Sequence, residues 1–127
     1  MPLVKIEMTK GNSKEFLLKF MDIVMETVVE VLQLPQDDRN IRLLEYESEL
    51  FTMKPPYKYI IEISLFEGRT DETKRNLYKA IADNLEKTTK INRTELFILL
   101  NDQPKINWGV RGGLAASDIK LNFKTDI

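Results

Sequence analysis

The residue with the most distinctive chemistry in this sequence is a proline directly after the first methionine, in the opening MPLVKIEM. If Met1 is removed, Pro2 carries a free secondary amine, which acts as a base near neutral pH when its surroundings lower its pKa. The alternative is structural, because a residue without an N–H is tolerated at the first position of a β-strand. Position alone favours the structural alternative, so the choice depends on the rest of the chain.

Composition restricts which other chemistry is available. The chain has no cysteine and no histidine, which excludes disulfides, thiol catalysis, the Ser-His-Asp triad and the commonest metal ligands. Its 19 basic and 20 acidic side chains give a net charge of −1, so electrostatics makes no case for a nucleic-acid or membrane partner. No apolar run approaches the roughly 20 residues of a membrane span, and the N-terminus lacks a secretory pattern. We expect a cytoplasmic protein.

The elements that would position Pro2 come from an internal repeat. VKIEMTKGNSKE, from Val4, aligns without a gap to IEISLFEGRTDE, from Ile61, an offset of 57 residues. Gly11 then matches Gly68, and Asp38 matches Glu95. Two copies are too few for a solenoid, so we expect one domain over residues 1–127, built from two repeats at about 2–46 and 59–102 plus a C-terminal tail.

Each repeat has the pattern of a β-α-β unit. In the first, a strand over Leu3–Met8 leads to a turn at Gly11. Asn12 or Ser13 can cap the helix that follows, with Glu15 placed to complete a capping box from Asn12. The apolar face of this helix consists of Phe16, Phe20, Val24, Val28 and Val31.

The remaining strands and the second helix follow the same order. Ile41–Leu44 supplies the returning strand of the first unit. The second unit reads as strand Ile60–Phe66, helix Thr70 to about Thr89 and strand Leu96–Leu100. The inward residues of its helix are Leu77, Ile81 and Leu85. Because β-α-β crossovers join parallel strands, we predict an α/β fold (α+β in some schemes) with a four-stranded mixed sheet and both helices on one face.

Two segments lie outside the repeats. The bridge YESELFTMKPPYKY between the units reads as a linker with a short edge hairpin. The tail DIKLNFKTDI alternates Ile119, Leu121 and Phe123, which is typical of a strand.

The two halves together resemble the tautomerase superfamily. IIEISLFEGRTDETKRNLYKAI followed by NWGVRGGLA is similar to the 4-oxalocrotonate tautomerase pattern, and the proline after the first methionine is its other hallmark. LPQDDR, over Leu34–Arg39, resembles a loop of malonate semialdehyde decarboxylase and its relatives. The resemblance covers nearly the whole chain and implies the tautomerase, or MIF-like, fold in its fused two-unit branch. It also implies that the Pro2 amine is the general base.

The resemblance assigns roles to four further residues. Arg69 matches the arginine whose planar fork binds a substrate carboxylate; the alternative is a surface arginine, disfavoured near a helix start by the helix dipole. Asp38 matches an acidic active-site residue of the decarboxylase branch, although an Asp ahead of a strand is commonly a turn former. Trp108 matches an aromatic that walls the pocket, with a core or interface tryptophan as the alternative. Arg111, within GVRGG, is either an anion-binding loop residue or a solvated charge.

The sequence also departs from the family pattern at two places. Phe97 stands where the short tautomerases place a second arginine, and Phe66 and Glu67 stand where the decarboxylase keeps a further arginine. These departures weaken the case for decarboxylation and leave proton transfer, the simplest activity of the fold.

Three functions follow from this reading. The first is a cofactor-independent tautomerase of small 2-oxo acid enols, such as phenylpyruvate or 2-hydroxydienoates, with no metal. In it Pro2 moves the proton, Arg69 holds the carboxylate and Trp108 excludes water. The second is a malonate-semialdehyde-type decarboxylase that depends on Asp38 and Arg69. The third is a non-catalytic binding or assembly protein of the same fold.

The predicted sheet also implies an oligomer. Helices would cover one face and leave a bare face rich in Ile, Val, Leu and Met, a larger apolar patch than monomers usually expose. The family resemblance implies a homotrimer, with the Pro2 pocket near a subunit boundary and walled in part by the Asn107–Leu114 loop.

Overall fold

The chain is described by a computed structural model that covers residues 1–127. The strands of the main sheet are β1 (Leu3–Thr9), β2 (Ile41–Tyr46), β3 (Tyr59–Phe66) and β4 (Leu96–Gln103). The helices are α1 (Lys14–Val31) and α2 (Asp71–Thr89), and a small hairpin follows, made of β5 (Gly109–Val110) and β6 (Leu114–Ala115). Neither helix is long and apolar enough to cross a membrane.

The strand order β2-β1-β3-β4 joins the two repeats side by side in one sheet. β1 pairs in parallel with β2, and β3 pairs in parallel with β4, whereas the central pair β1 and β3 is antiparallel. This arrangement confirms the predicted four-stranded mixed sheet of two β-α-β units.

Both helices begin with a hydroxyl cap at equivalent positions of the repeat. The Ser13 Oγ accepts a hydrogen bond from the Phe16 N–H at 3.1 Å, and the Thr70 Oγ1 accepts one from the Thr73 N–H at 3.2 Å. The predicted capping box from Asn12 is wrong. Because α1 begins one residue later, at a Ser13 cap, the Asn12 amide lies instead 3.5 Å from the Met8 Sδ.

The core lies between the helices and one face of the sheet. Alternate residues of β1 and β3 are fully buried, namely Val4, Ile6, Met8, Ile61, Ile63 and Leu65. The predicted inward residues of α2, Leu77, Ile81 and Leu85, join the same cluster. The predicted face of α1 also packs there, with Phe20, Val24 and Val28 fully buried and Phe16 and Val31 partly so.

The opposite sheet face is less apolar than expected. Exposed apolar side chains do occur there, including Leu3, Leu44, Phe97 and Leu99. Charged residues stand among them, however: Arg42, Lys5 and Glu62 occupy one row across β2, β1 and β3. The prediction of a face rich in Ile, Val, Leu and Met is therefore wrong for its centre, because period-2 alternation places the charges of β1 and β3 on this side.

The two segments outside the repeats form no additional sheet strands. The bridge contains a short 3-10 helix at Ser48–Leu50 and a cis peptide bond between Pro55 and Pro56, so the predicted edge hairpin is wrong. The tail pairs with no strand, so the strand prediction for it is also wrong. The alternation of apolar and polar residues in the tail reflects one buried side and not pairing in a sheet: Leu121 and Phe123 are half-buried, and Asn122 is exposed.

Candidate active site

The site lies at the end of the sheet where β1 begins. A cavity of about 230 Å³ opens there. It is lined by Met1, Pro35, Asp37, Asp38, Arg111, Leu121, Asn122 and Phe123. Two of these, Asp38 and Arg111, are predicted site residues. Three come from the tail, which packs back over this end of the sheet.

The chain's terminal amine lies in this cavity. The Met1 amino nitrogen donates to the Asp38 Oδ2 at 2.6 Å, and both groups are largely shielded from solvent. Burial lowers the pKa of this amine below its ordinary value of 8.0, Asp38 opposes that shift, and the nearby charge of Arg69 adds to it. The fold thus places an amine with a depressed pKa beside a carboxylate.

Pro2, directly before β1, is buried and is not among the residues that line the cavity. Its carbonyl oxygen accepts a hydrogen bond of 3.4 Å from the Asn40 side chain, which also donates to Asp38 at 3.1 Å. With Met1 in place the Pro2 nitrogen is an amide and carries no basic lone pair. The amine of a chain that begins at Pro2 would lie one residue, about 3.8 Å, further in.

Asp38 has a structural role as well as a place in the cavity. Its N–H donates to the Pro35 carbonyl at 3.0 Å in the turn that precedes β2. Asp38 therefore forms the turn that the structural alternative predicts, and its carboxylate also faces the amine.

Arg69 is the most unusual charged residue of the protein. It is only 7% exposed, directly precedes the cap of α2, and makes no ion pair. Its Nη1 donates to the Phe66 carbonyl at 3.0 Å, but its Nε is buried without a partner. Burial lowers the pKa of the guanidinium, whereas the charge of Asp102 raises it. A buried cation with an unused donor is costly unless a ligand completes its bonding.

Of the two remaining predicted residues, one lines the cavity and the other does not. Arg111 lines it, from the turn between β5 and β6, with a positive φ of 50°. Trp108 does not line it; its ring packs edge-on against Phe66 at 5.0 Å, and Phe66 in turn stacks on Phe123 at 6.2 Å. The Trp108 Nε1 is, like the Arg69 Nε, buried without a partner.

The start of β3, which is equivalent to the start of β1 in the repeat, has a similar ion pair but no counterpart of Pro2 or Arg69. Lys58 precedes β3 as Met1 precedes β1, and its Nζ pairs with Glu95 at 3.0 Å, which matches the pair of Met1 and Asp38. Tyr59 stands in place of Pro2 and packs on Phe20 at 5.3 Å. Asn12 stands in place of Arg69, so the second unit's strand start has no buried guanidinium beside it.

Sequence reasoning did not include the tail or Asp37 in the site. The signal for the tail was available, because apolar residues at every second position indicate a segment with one buried side. Nothing local could show that this side faces the cavity. Among the described residues, no group of three or more His, Cys, Asp and Glu side chains is placed to hold a metal ion.

Comparison with known proteins identifies the family. The family model described as "Tautomerase enzyme" matches residues 38–111, more than half of the chain. The protein therefore belongs to the tautomerase family.

The similar proteins agree with this assignment. The "Probable tautomerase YusQ" of Bacillus subtilis (strain 168) is 27% identical over 123 residues, which cover 91% of this chain and 97% of the relative. The "Probable tautomerase SH1546" of Staphylococcus haemolyticus is 38% identical over 53 residues, 42% of this chain but 86% of that protein. A relative of half the length is consistent with the internal duplication.

Solved structures show the same fold at TM-scores near 0.8. Pt0534 inactivated by 2-oxo-3-pentynoate superposes with a TM-score of 0.80 at 26% identity, covering 91% of this chain and 96% of that one. FG41 malonate semialdehyde decarboxylase inhibited by 3-bromopropiolate gives 0.80 at 25% identity, covering 91% and 92%. A fused 4-OT described as a symmetric trimer gives 0.81 at 21% identity, covering 91% and 96%.

Proposed function

We propose that this protein is a tautomerase of small 2-oxo acid enols, with the Pro2 amine as its general base after loss of Met1. One observation carries the proposal: the amine of Met1, the residue directly before Pro2, is largely shielded from solvent, and burial and the charge of the buried, unpaired Arg69 both lower its pKa. The Pro2 amine would lie about 3.8 Å from that position. A base tuned toward operating pH beside a cation suited to a carboxylate is the minimum for proton transfer at an enol.

Each residue has a defined task in this mechanism. The neutral Pro2 amine takes the proton from the enol hydroxyl and returns one to carbon. Arg69 is not among the residues that line the cavity. In this mechanism the substrate carboxylate reaches its guanidinium, whose buried Nε–H has no partner, and the cation disperses charge that develops on the enolate. Arg111, which lines the cavity, is the second cation available to an acidic substrate. The reaction needs no cofactor or metal.

A 2-oxo acid substrate also fits the comparison with Pt0534, whose structure was solved after inactivation by 2-oxo-3-pentynoate. Trp108 does not touch the cavity, so its contribution to water exclusion acts through Phe66 and Phe123, which close this end of the sheet.

The test is ketonisation of phenylenolpyruvate by wild type and by Pro2→Ala, with intact mass measured for both. We expect a mature wild-type chain lighter by one methionine and a rate reduced about 100-fold or more in Pro2→Ala, since general base catalysis contributes at least that much. An unchanged rate in Pro2→Ala would contradict the role of Pro2. Retention of Met1 in protein from its native host would favour a non-catalytic binding protein.

A second candidate is decarboxylation of a 3-oxo acid such as malonate semialdehyde. The contact between Asp38 and the terminal amine favours it, together with the likeness to FG41 malonate semialdehyde decarboxylase. It predicts carbon dioxide release that falls in Asp38→Asn and in Arg69→Lys. No release above buffer across 3-oxo acids would remove it.

We further propose a homotrimer assembled through the open sheet face. Leu44, Phe97 and Leu99 are each roughly 40% exposed there, and burial of that apolar surface would stabilise the assembly. A closed ring of three chains buries this surface in every subunit. Light scattering should give three times the 14.8 kDa chain mass, with activity lost on dissociation. A stable, active monomer at micromolar concentration would refute it.

A further inference from the structure

The tail, residues 118–127, is held at the start of α2 by two converging donors. The Thr70 N–H donates to the main-chain oxygen of Ile127 at 3.0 Å, and the Thr73 Oγ1 donates to the same oxygen at 2.9 Å. The tail pairs with no strand, so these bonds tie its far end to the rest of the molecule.

Two further contacts fix the tail along its length. An ideal Cβ on Gly68 would lie 2.6 Å from the Thr125 carbonyl oxygen, so the tail's backbone passes directly over that glycine. The Phe123 ring stacks on Phe66, with an interplanar angle of 4°.

These contacts surround Arg69. The tail crosses the residue before it, Gly68, and is bonded to the residue after it, Thr70. The tail therefore contacts the residues on both sides of Arg69, although it is more than 50 positions away along the chain. The same segment supplies Leu121, Asn122 and Phe123 to the wall of the cavity.

We propose that Thr73 is a positioning residue of the site: by holding Ile127, it keeps the tail over Arg69 and keeps Leu121 and Phe123 in the cavity wall. The proposal deepens the proposed function, on which its kinetic part rests. An ion pair between a guanidinium and a carboxylate is stronger where water is excluded. The tail thus sets both the affinity for a carboxylate and the room beside it.

The side chain of Thr73 allows a matched pair of variants in the full chain. Thr73→Val keeps the β-branched shape and removes the hydroxyl, whereas Thr73→Ser keeps the hydroxyl. Both retain the N–H that donates to the Thr70 cap and the main-chain bond from Thr70 to Ile127. A difference between the two variants therefore reports the Thr73 hydroxyl.

The first measurement is independent of activity: hydrogen exchange of the Arg69 Nε–H and of the tail amides, followed by NMR. Thr73→Val removes the hydrogen bond that the Thr73 hydroxyl donates to Ile127 and the one that it accepts from the Thr70 Oγ1 at 3.1 Å. We expect exchange to be about fivefold faster in Thr73→Val, as loss of the bond to Ile127 implies, and unchanged in Thr73→Ser. Equal exchange in wild type and Thr73→Val would overturn the proposal.

The second measurement is steady-state kinetics with phenylenolpyruvate and with the smaller enolpyruvate. In Thr73→Val we expect KM to rise about fivefold while kcat changes less than twofold. The fall in kcat/KM should be smaller for phenylenolpyruvate than for enolpyruvate, because a looser tail leaves more room. Thr73→Ser should match wild type. Faster exchange with unchanged KM would overturn the role in substrate binding. A wild type without turnover would count against the proposed function, and the exchange measurement would still decide whether Thr73 holds the tail over Arg69.

Discussion

Two glycines at equivalent positions of the repeat make it possible to measure how firmly the tail is docked. Gly68 and Gly11 share a left-handed backbone, with φ of +126° and +122°. An alanine at either position costs about 1–3 kcal/mol in backbone strain. Their surroundings differ, because a Cβ on Gly11 meets nothing within 4 Å, whereas one on Gly68 meets the Thr125 carbonyl at 2.6 Å.

The extra free energy of unfolding lost in Gly68→Ala cannot exceed the energy of the interactions that the tail gives up when it moves away from the new Cβ. Two hydrogen bonds to Ile127 contribute about 1 kcal/mol each, and the stack of Phe66 on Phe123 contributes about 1 kcal/mol more. Because a partial shift relieves part of the clash, we expect Gly68→Ala to destabilise by about 1–3 kcal/mol more than Gly11→Ala.

Urea denaturation of both variants at one protein concentration provides the assay, since the stability of an oligomer depends on concentration. The dependence of the free energy of unfolding on urea concentration should be the same as in wild type. The urea midpoint of Gly68→Ala should be lower than that of Gly11→Ala. Equal losses in the two variants would refute the reasoning, because they would show that the tail does not rest on Gly68.

Three further changes have defined outcomes. Asp38→Asn removes the charge that favours the protonated Met1 amine, so in chains that keep Met1 the pKa of that amine should fall and its acylation at a pH below 8.0, its ordinary pKa, should accelerate. Asp37→Asn, in the same cavity but without an ion pair to the amine, is the control. A slower reaction in Asp38→Asn would contradict the assignment. Thr27→Val should cost about 1–2 kcal/mol in thermal denaturation, because the Asn84 amide, 2.9 Å from the Thr27 hydroxyl, loses its acceptor between the helices; a neutral result would show that water replaces it. Arg69→Met should leave the free energy of unfolding unchanged or raised while turnover is lost, because a buried guanidinium without an ion pair costs desolvation; a stability loss above about 2 kcal/mol would show that Arg69 is structural.

Local patterns were sufficient to predict most of the fold. The 57-residue repeat, strand alternation and helical spacing predicted both β-α-β units, and the buried residues of α2 lie where that spacing places them. Gly11 and Gly68 marked the two turns, because each lies in a conformation that L residues avoid. The errors fell where a pattern has two solutions: Ser13 caps α1 rather than Asn12, and the alternating tail has one buried side without a strand partner.

By itself, the sequence determined the elements, their order and which residue types can do chemistry, because these depend on neighbours along the chain. Only the tertiary structure decided the environment of those residues. The terminal amine meets Asp38 across 37 positions, and Thr73 meets Ile127 across 54. Burial, an unpaired guanidinium and a lowered amine pKa arise from such distant contacts, since desolvation depends on everything packed around a group and not on its place in the chain.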